Sequence, residues 1–308
     1  MISKSSSEIK AEAKRLGFFS CGIARAEAVD QETTLYYERW LHEGHQAGMD
    51  YLARNKEMRL DPTLLMPGAR SIICVAMNYA PSRLIAEDEY QIAYYAYGKD
   101  YHDVMRSRLF QLAEAVGATP CRVCCDTAPL LERYWAVRAG IGFIGKNRQL
   151  IIPGSGSLFF LGELLVDEPL EYDHPLSMTC RQCDACVKAC PTGALQVDCF
   201  DANRCLSYHT IENRGTIPPD ISKKMGHTFY GCDRCLKVCP HNRQAEPTQE
   251  PAFQASEELL SMTRARWKSL SIDDYRRLFK GSAVKRAKYD GLMRNIRLLD
   301  DDTEPSAQ

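Results

Sequence analysis

Apolar positions fall at helical spacing from the first residues onward: Ile9, Ala13 and Leu16 share one face behind a capping-box pair, Ser5 and Glu8, and Gly17 ends the run. A short strand is expected over 18–24 and a helical region over 31–54. Past Pro62 and Pro67-Gly68, the unbroken apolar run 71–76 reads as a buried strand. Met105, Leu109, Leu112 and Val116 form a further helical stripe closed by Gly117. Strand-like residues 121–125 then lead to Asp126, a helix is expected over 129–138, and strands over 149–152 and 158–166. Strands alternating with helices predict an α/β sheet covered on both faces, and such sheets place ligands beyond the carboxyl ends of their strands.

Around 168–175 this periodicity gives way to cysteine spacing. Cys180, Cys183, Cys186 and Cys190-Pro191 keep the C-x2-C-x2-C-x3-C-P order of bacterial ferredoxins, whose fourth cysteine serves the other cluster of a pair. Cys232, Cys235 and Cys239-Pro240 repeat it without the first cysteine, whose place in the register is taken by Phe229. The nearest unused cysteine upstream is Cys205. One [4Fe–4S] cluster is therefore assigned to Cys180, Cys183, Cys186 and Cys239, and a second to Cys205, Cys232, Cys235 and Cys190. Zinc ribbons also use C-x2-C pairs, and disulfides require an oxidising compartment, but neither needs two C-P endings in register. Up to about residue 247 the clusters, rather than a large apolar core, are expected to fix the shape.

Composition sets wider limits. A chain of 308 residues with 45% hydrophobic content is long enough for two or three domains. It has no apolar run of membrane-spanning length, and its first residues have no apolar signal core, so no membrane association and a cytoplasmic location with reduced thiols are expected. Cys21, Cys74, Cys121, Cys124, Cys125 and Cys199 are then expected to be inert buried thiols. Net charge is only −1, yet 264–297 holds eleven Lys or Arg against three Asp, and the acidic tail 300–308 is expected to be disordered. The expected divisions are 1–170 for the α/β domain, 171–250 for a ferredoxin-like cluster domain, 251–299 for a basic helical segment, and the tail.

Asp126 stands where a strand gives way to a helix, a place that suits either a helix N-cap or a catalytic carboxylate. The loop 142–147, with Gly142, Gly145 and Lys146, could bring backbone amides and a cation to a phosphate, although it lacks P-loop order. Gly154 and Gly156 fit a turn between strands. No histidine sits in metal-ligand spacing.

Several stretches in the same order resemble the epoxyqueuosine reductase family: Asp126-Thr-Ala-Pro-Leu-Leu-Glu-Arg133, Ala139-Gly-Ile-Gly-Phe-Ile-Gly-Lys-Asn147, Gly156-Ser-Leu-Phe-Phe-Leu-Gly-Glu163, Cys205-Leu-Ser-Tyr-His-Thr-Ile-Glu212 and Tyr230-Gly-Cys-Asp-Arg-Cys235. The resemblance runs from about residue 8 to about residue 299. It implies a cobalamin-dependent oxidoreductase with two [4Fe–4S] clusters that reduces epoxyqueuosine to queuosine at the wobble base of tRNA, fed by a reduced carrier of flavodoxin or ferredoxin type and working as a monomer. It also implies an α/β cobalamin-binding domain, followed by the cluster domain and the helical segment.

The family roles fall on Asp126 as proton donor, and on Asp126, Ser207 and Asp233 as cobalamin neighbours. A neutral Asp126 in a desolvated pocket would suit proton donation. The chain has no D-x-H-x-x-G motif to supply a lower axial histidine, in keeping with a family that binds cobalamin without one. It departs from the family in three places: helical repeats do not follow Arg294-Asn-Ile296, His241 stands where tryptophan is common, and Tyr94 where arginine is common. The rival readings are another cobalamin and iron–sulfur reductase, of the reductive dehalogenase kind, and a non-catalytic ferredoxin-type electron carrier. Reductive dehalogenases usually carry an export signal. An electron carrier would need no large α/β domain.

Overall fold

The Ser5 hydroxyl accepts the Glu8 amide and the Glu8 carboxylate accepts the Ser5 amide, so helix α1 (Ser6–Arg15) begins at the expected capping box. In the computed structural model, which describes residues 2, 4–180 and 182–301, this helix leads into strand β1 (Ser20–Arg25). Helix α2 (Gln31–His42), strand β2 (Ser71–Asn78), helix α3 (Tyr101–Val116), strand β3 (Cys121–Cys124), helix α4 (Glu132–Arg138) and strand β4 (Phe159–Val166) follow. The expected helical region 31–54 breaks at His42, where Gly44 takes φ 69° and ends the regular helix. The expected strand 149–152 shortens to Leu150–Ile151, paired with Phe143–Ile144.

The four strands lie in the order β1-β2-β4-β3, and every neighbouring pair is antiparallel. Alternating strands and helices thus produce a sheet covered on both faces without parallel crossovers. On one face Ile9, Ala13, Leu109 and Leu112 pack with Ile73, Val75, Leu164 and Val166. On the other, Trp135 and Ala136 of α4 cover Ile72, Cys74 and Leu165. The period of two along β4 divides its side chains between these layers.

Beyond the sheet come α5 (Ala185–Ala189), α6 (Leu206–Ile211), α7 (Arg234–Lys237) and α8 (Lys288–Asp301), with the short helices Glu257–Leu260, Arg264–Lys268 and Ile272–Leu278 between the last two. A parallel pairing of Gln91–Ile92 with Thr228–Tyr230 ties the first part of the chain to the cluster region. Tyr90 and Ile92 share one core with Phe229, Tyr230, Trp267, Phe279, Leu292 and Ile296, so the basic C-terminal segment is packed into the cluster region. Among the described residues, no helix is long and apolar enough to cross a membrane. Helix α8 takes in the first residues of the acidic tail, and 302–308 lie outside the described residues.

A candidate redox site

Cys180, Cys183, Cys186 and Cys239 line one small pocket together with Asn147, Ile151, Pro240 and His241. The other expected set is also brought together: Cys190 and Cys232 both push the Cys205 thiol upward electrostatically, after burial, which raises it to about 11. Cys235 is raised chiefly by burial, then by Cys232, and further by Cys205 and by Cys186 of the first set, which places the two groups side by side. Among the described residues, no three His, Cys, Asp or Glu side chains converge tightly enough for a single metal ion. Thiols that ring a gap suit a cubane, so the donor chemistry fits two [4Fe–4S] clusters.

Phe229 has no donor atom to take the place of the missing ligand, and it serves the core instead. Its side chain is 0% exposed and its ring lies 4.8 Å from that of Trp267. The loop expected near a phosphate serves the cysteines instead: the Lys146 amide donates to Cys180 Sγ at 3.4 Å, and its ammonium pairs with Asp184 at 2.5 Å. His241 lines the same pocket, edge-on to Phe143 at 5.7 Å. Among the cysteines outside the clusters, Cys74, Cys124 and Cys125 are buried, whereas Cys21, Cys121 and Cys199 are only partly so.

Asp126 lies just past the carboxyl end of β3, six residues before α4, whose N-cap is Leu131. The helix-cap reading therefore fails. With φ 57°, the residue turns its half-exposed carboxylate outward, where Oδ2 accepts from Tyr101 Oη at 2.9 Å and meets His102 Nε2 at 3.0 Å. Asp100 caps α3 by accepting the His102 amide, and the same carboxylate takes His102 Nδ1 at 2.6 Å. Burial would lower the His102 pKa, but its bonds to Asp100 and Asp126 outweigh this and push it up to about 9. Burial alone would raise the Asp126 carboxyl, but the bond and charge of His102, followed by the Tyr101 hydroxyl and Arg133, hold it below its usual value. The expected neutral carboxylic acid is thus replaced by a carboxylate beside an imidazolium, with the proton stored on the ring. The helix dipole disfavours a cation here by about 0.3–1 kcal/mol, less than two charge-assisted hydrogen bonds supply at about 1.5–3 kcal/mol each.

Arg286, salt-bridged to Glu212 at 2.7 Å, lies 5.7 Å from the Tyr51 ring centre, and both Arg286 and Tyr51 feel the charge of Asp126. These polar groups, drawn from widely separated parts of the chain, come together beside Asp126 and offer hydrogen-bond donors and acceptors of both charges there. Both ring nitrogens of His102 and of His209 are engaged in hydrogen bonds. Ser207 and Asp233 lie at the second cysteine set. The Ser207 amide bonds Cys205, and Asp233 accepts the Tyr94 amide at 2.6 Å while burial pushes it up to about 6. Tyr94 also receives Lys237 Nζ 5.0 Å from its ring centre. Sequence reasoning missed His102, Asp100, Tyr51 and Arg286. Only Asp100-Tyr-His102, an N-cap with a histidine two residues on, carried a local signal.

Residues 59–127 match the family described as epoxyqueuosine reductase QueG, DUF1730, and 179–242 match the 4Fe-4S double cluster binding domain. The chain is 42% identical over 301 residues to an epoxyqueuosine reductase of Cellulophaga algicola, covering 96% of this chain and 98% of the relative. It is also similar to the crystal structure of an epoxyqueuosine reductase with an epoxyqueuosine-modified tRNA-Tyr stem loop, with TM-score 0.86 and 29% identity over 96% of this chain and 80% of the other. A Bacillus subtilis epoxyqueuosine reductase, described with its catalytic aspartate loop swung out of the active site, superposes with TM-score 0.85 at 28% identity, covering 96% and 81%.

Proposed function

The chain belongs to the epoxyqueuosine reductase family, and from that premise we propose that it reduces epoxyqueuosine in tRNA to queuosine, with Asp126 passing the proton that accompanies ring opening. The observation that carries the residue assignment is the Asp100–His102–Asp126 chain of contacts at the open end of β3. The reaction takes two electrons and two protons: both carbon–oxygen bonds of the epoxide break, a carbon–carbon double bond forms, and the oxygen leaves as water. When bound, cobalamin would supply a low-valent reducing centre, fed single electrons through clusters that the two cysteine sets would hold.

The residues of the chain handle the proton. As negative charge grows on the epoxide oxygen, the proton stored at His102 Nε2 moves through the Asp126 carboxylate to that oxygen. Tyr101 keeps the carboxylate oriented, and Asp100 keeps the imidazole oriented. The aspartate loop described as swung out in the B. subtilis relative supports placing this chemistry on the Asp126 loop, which matches the family motif. Ser207 and Asp233 are assigned to the cobalamin side of the second cluster. A reduced carrier of flavodoxin or ferredoxin type, a monomeric state and a cytoplasmic location complete the reading. A four-stranded sheet ending in an organised carboxylate favours an enzyme over an electron carrier.

The test is conversion of an epoxyqueuosine-containing anticodon stem loop by the reconstituted holoenzyme under strong reductant, read as the loss of one oxygen by mass spectrometry. Unchanged substrate in the presence of loaded clusters and bound cobalamin would overturn the reading.

A further inference from the structure

Asp126 holds a left-handed backbone conformation, φ 57°, which is unfavourable for a residue with a Cβ, so neighbouring groups must keep it there. Its amide donates to Glu132 Oε1, on the first residue of α4. Behind Glu132 lies Glu163, which is 0% exposed on the inner strand β4, opposite Cys74 of β2 and Cys124 of β3. Strand alternation puts Glu163 on the same face as Leu161 and Leu165, the face that α4 covers. The Glu163 side chain meets that of Glu132, but neither of its oxygens has a hydrogen-bond partner of ordinary geometry among the described residues. An ionised carboxylate in such a place would be buried and unpaired.

We propose that Glu132 is a positioning residue that latches the Asp126 loop inward, and that Glu163, as a buried neutral acid, holds Glu132 in place by directing its O–H toward it. This rests on the reading of Asp126 as proton donor. The titratable and charged groups facing Glu132 are Asp126, Glu163, Arg133, Tyr101, Cys74, Cys124 and Cys125, and those facing Glu163 are Glu132, Asp126 and the same three thiols. Burial, followed by these negative neighbours, raises Glu163 well above its usual value, and burial followed by Asp126 raises Glu132 to about 7. Glu132 therefore becomes a charged, stronger acceptor for the Asp126 amide as pH rises through about 7, while Glu163 keeps its proton.

Hydrogen exchange at the amides of 125–131, in the chain free of cobalamin and tRNA, reads the latch directly. Glu132→Ala should speed this exchange on the order of 10- to 100-fold, the effect of losing one hydrogen bond to a charged group. In the holoenzyme the same change should lower kcat with little change in KM for the stem loop. Glu132→Gln keeps a carbonyl acceptor and should restore slow exchange, without the further slowing as pH rises through about 7. Glu163→Gln keeps a neutral donor of the same shape and should retain the slow exchange that Glu163→Leu loses. Unchanged exchange in Glu132→Ala, or equal damage from Glu163→Gln and Glu163→Leu, would overturn the proposal. A loosened loop in Glu132→Ala together with full turnover in Asp126→Asn would uphold the latch and remove the proton-donor role instead.

Discussion

His102 Nε2 lies 3.0 Å from Asp126 Oδ2, and the proton between them rests on the imidazole. Because the His102 pKa is pushed up to about 9, the stored proton is present through neutral pH and lost above it. Turnover should fall about tenfold per pH unit above about 9. The same shift bears on folding: a histidine raised from 6.5 to about 9 stabilises fully below 6.5, and this contribution fades as pH rises to about 9. Thermal melts of the wild type and of His102→Gln should converge as pH climbs through this window. A turnover profile with no alkaline limb near 9 would show that the proton is held elsewhere.

Asp126→Asn keeps the shape of the side chain and, through its backbone amide, the bond to Glu132, but it cannot pass a proton. Turnover should fall by about 10²- to 10⁴-fold. Asp126 does not cap α4, so that helix should persist, while loss of the charged bond to His102 should lower the melting temperature at neutral pH but not above about 9. Single-turnover kinetics under saturating reductant check this, and near-normal rates would remove Asp126 from the proton path.

Anaerobically purified protein should hold about eight iron atoms per chain, as two cubanes require. Cys205→Ser should lower that figure toward about four and remove one of the two reduced-cluster signals in electron paramagnetic resonance. Retention of both signals would move the eighth ligand to another residue.

The basic segment divides in two. Arg266 and Arg277 pair with Glu258, Arg276 pairs with Asp273, and Arg286 pairs with Glu212 close to Asp126, so these arginines serve the fold or the site. Lys280, Lys285 and Lys288 are exposed. Reversing these lysines to Glu should weaken tRNA binding and reduce the log-affinity against log-salt slope by roughly 0.7 to 0.9 for each phosphate that is no longer neutralised. Titrations at several salt concentrations check this. An unchanged slope would leave the tRNA to the α/β and cluster regions.

The double cluster domain was legible because ferredoxin spacing marks the cysteine loops that form it, and the helical stripe Met105 to Val116 was legible because its period matches a buried face. The order and direction of the strands were not, since alternation of strands and helices is shared by parallel and antiparallel sheets. The company that Tyr51 and Arg286 keep with Asp126 was hidden for a different reason: tertiary packing joins residues far apart in the chain, and neither Tyr51 nor Arg286 stands in a local motif. Glu163 did leave a trace, as the lone acid in Phe159-Phe-Leu-Gly-Glu-Leu-Leu-Val166, but its meaning required knowing that both neighbours of β4 were strands.

Asn295, 0% exposed on α8, donates at once to the carbonyl of Thr210, at 2.8 Å on the helix that follows Cys205, and to that of Phe229, at 2.9 Å just ahead of Cys232. One amide thereby fastens the two arms that carry Cys205 and Cys232, from a residue outside both cysteine sets. Substituting it would leave two buried carbonyls unanswered, at about 1–3 kcal/mol each. The iron content of the protein thus becomes a reporter of packing at the distant end of the chain, and variants along α8 should be visible as bleaching of the cluster chromophore before any loss of helix is detected.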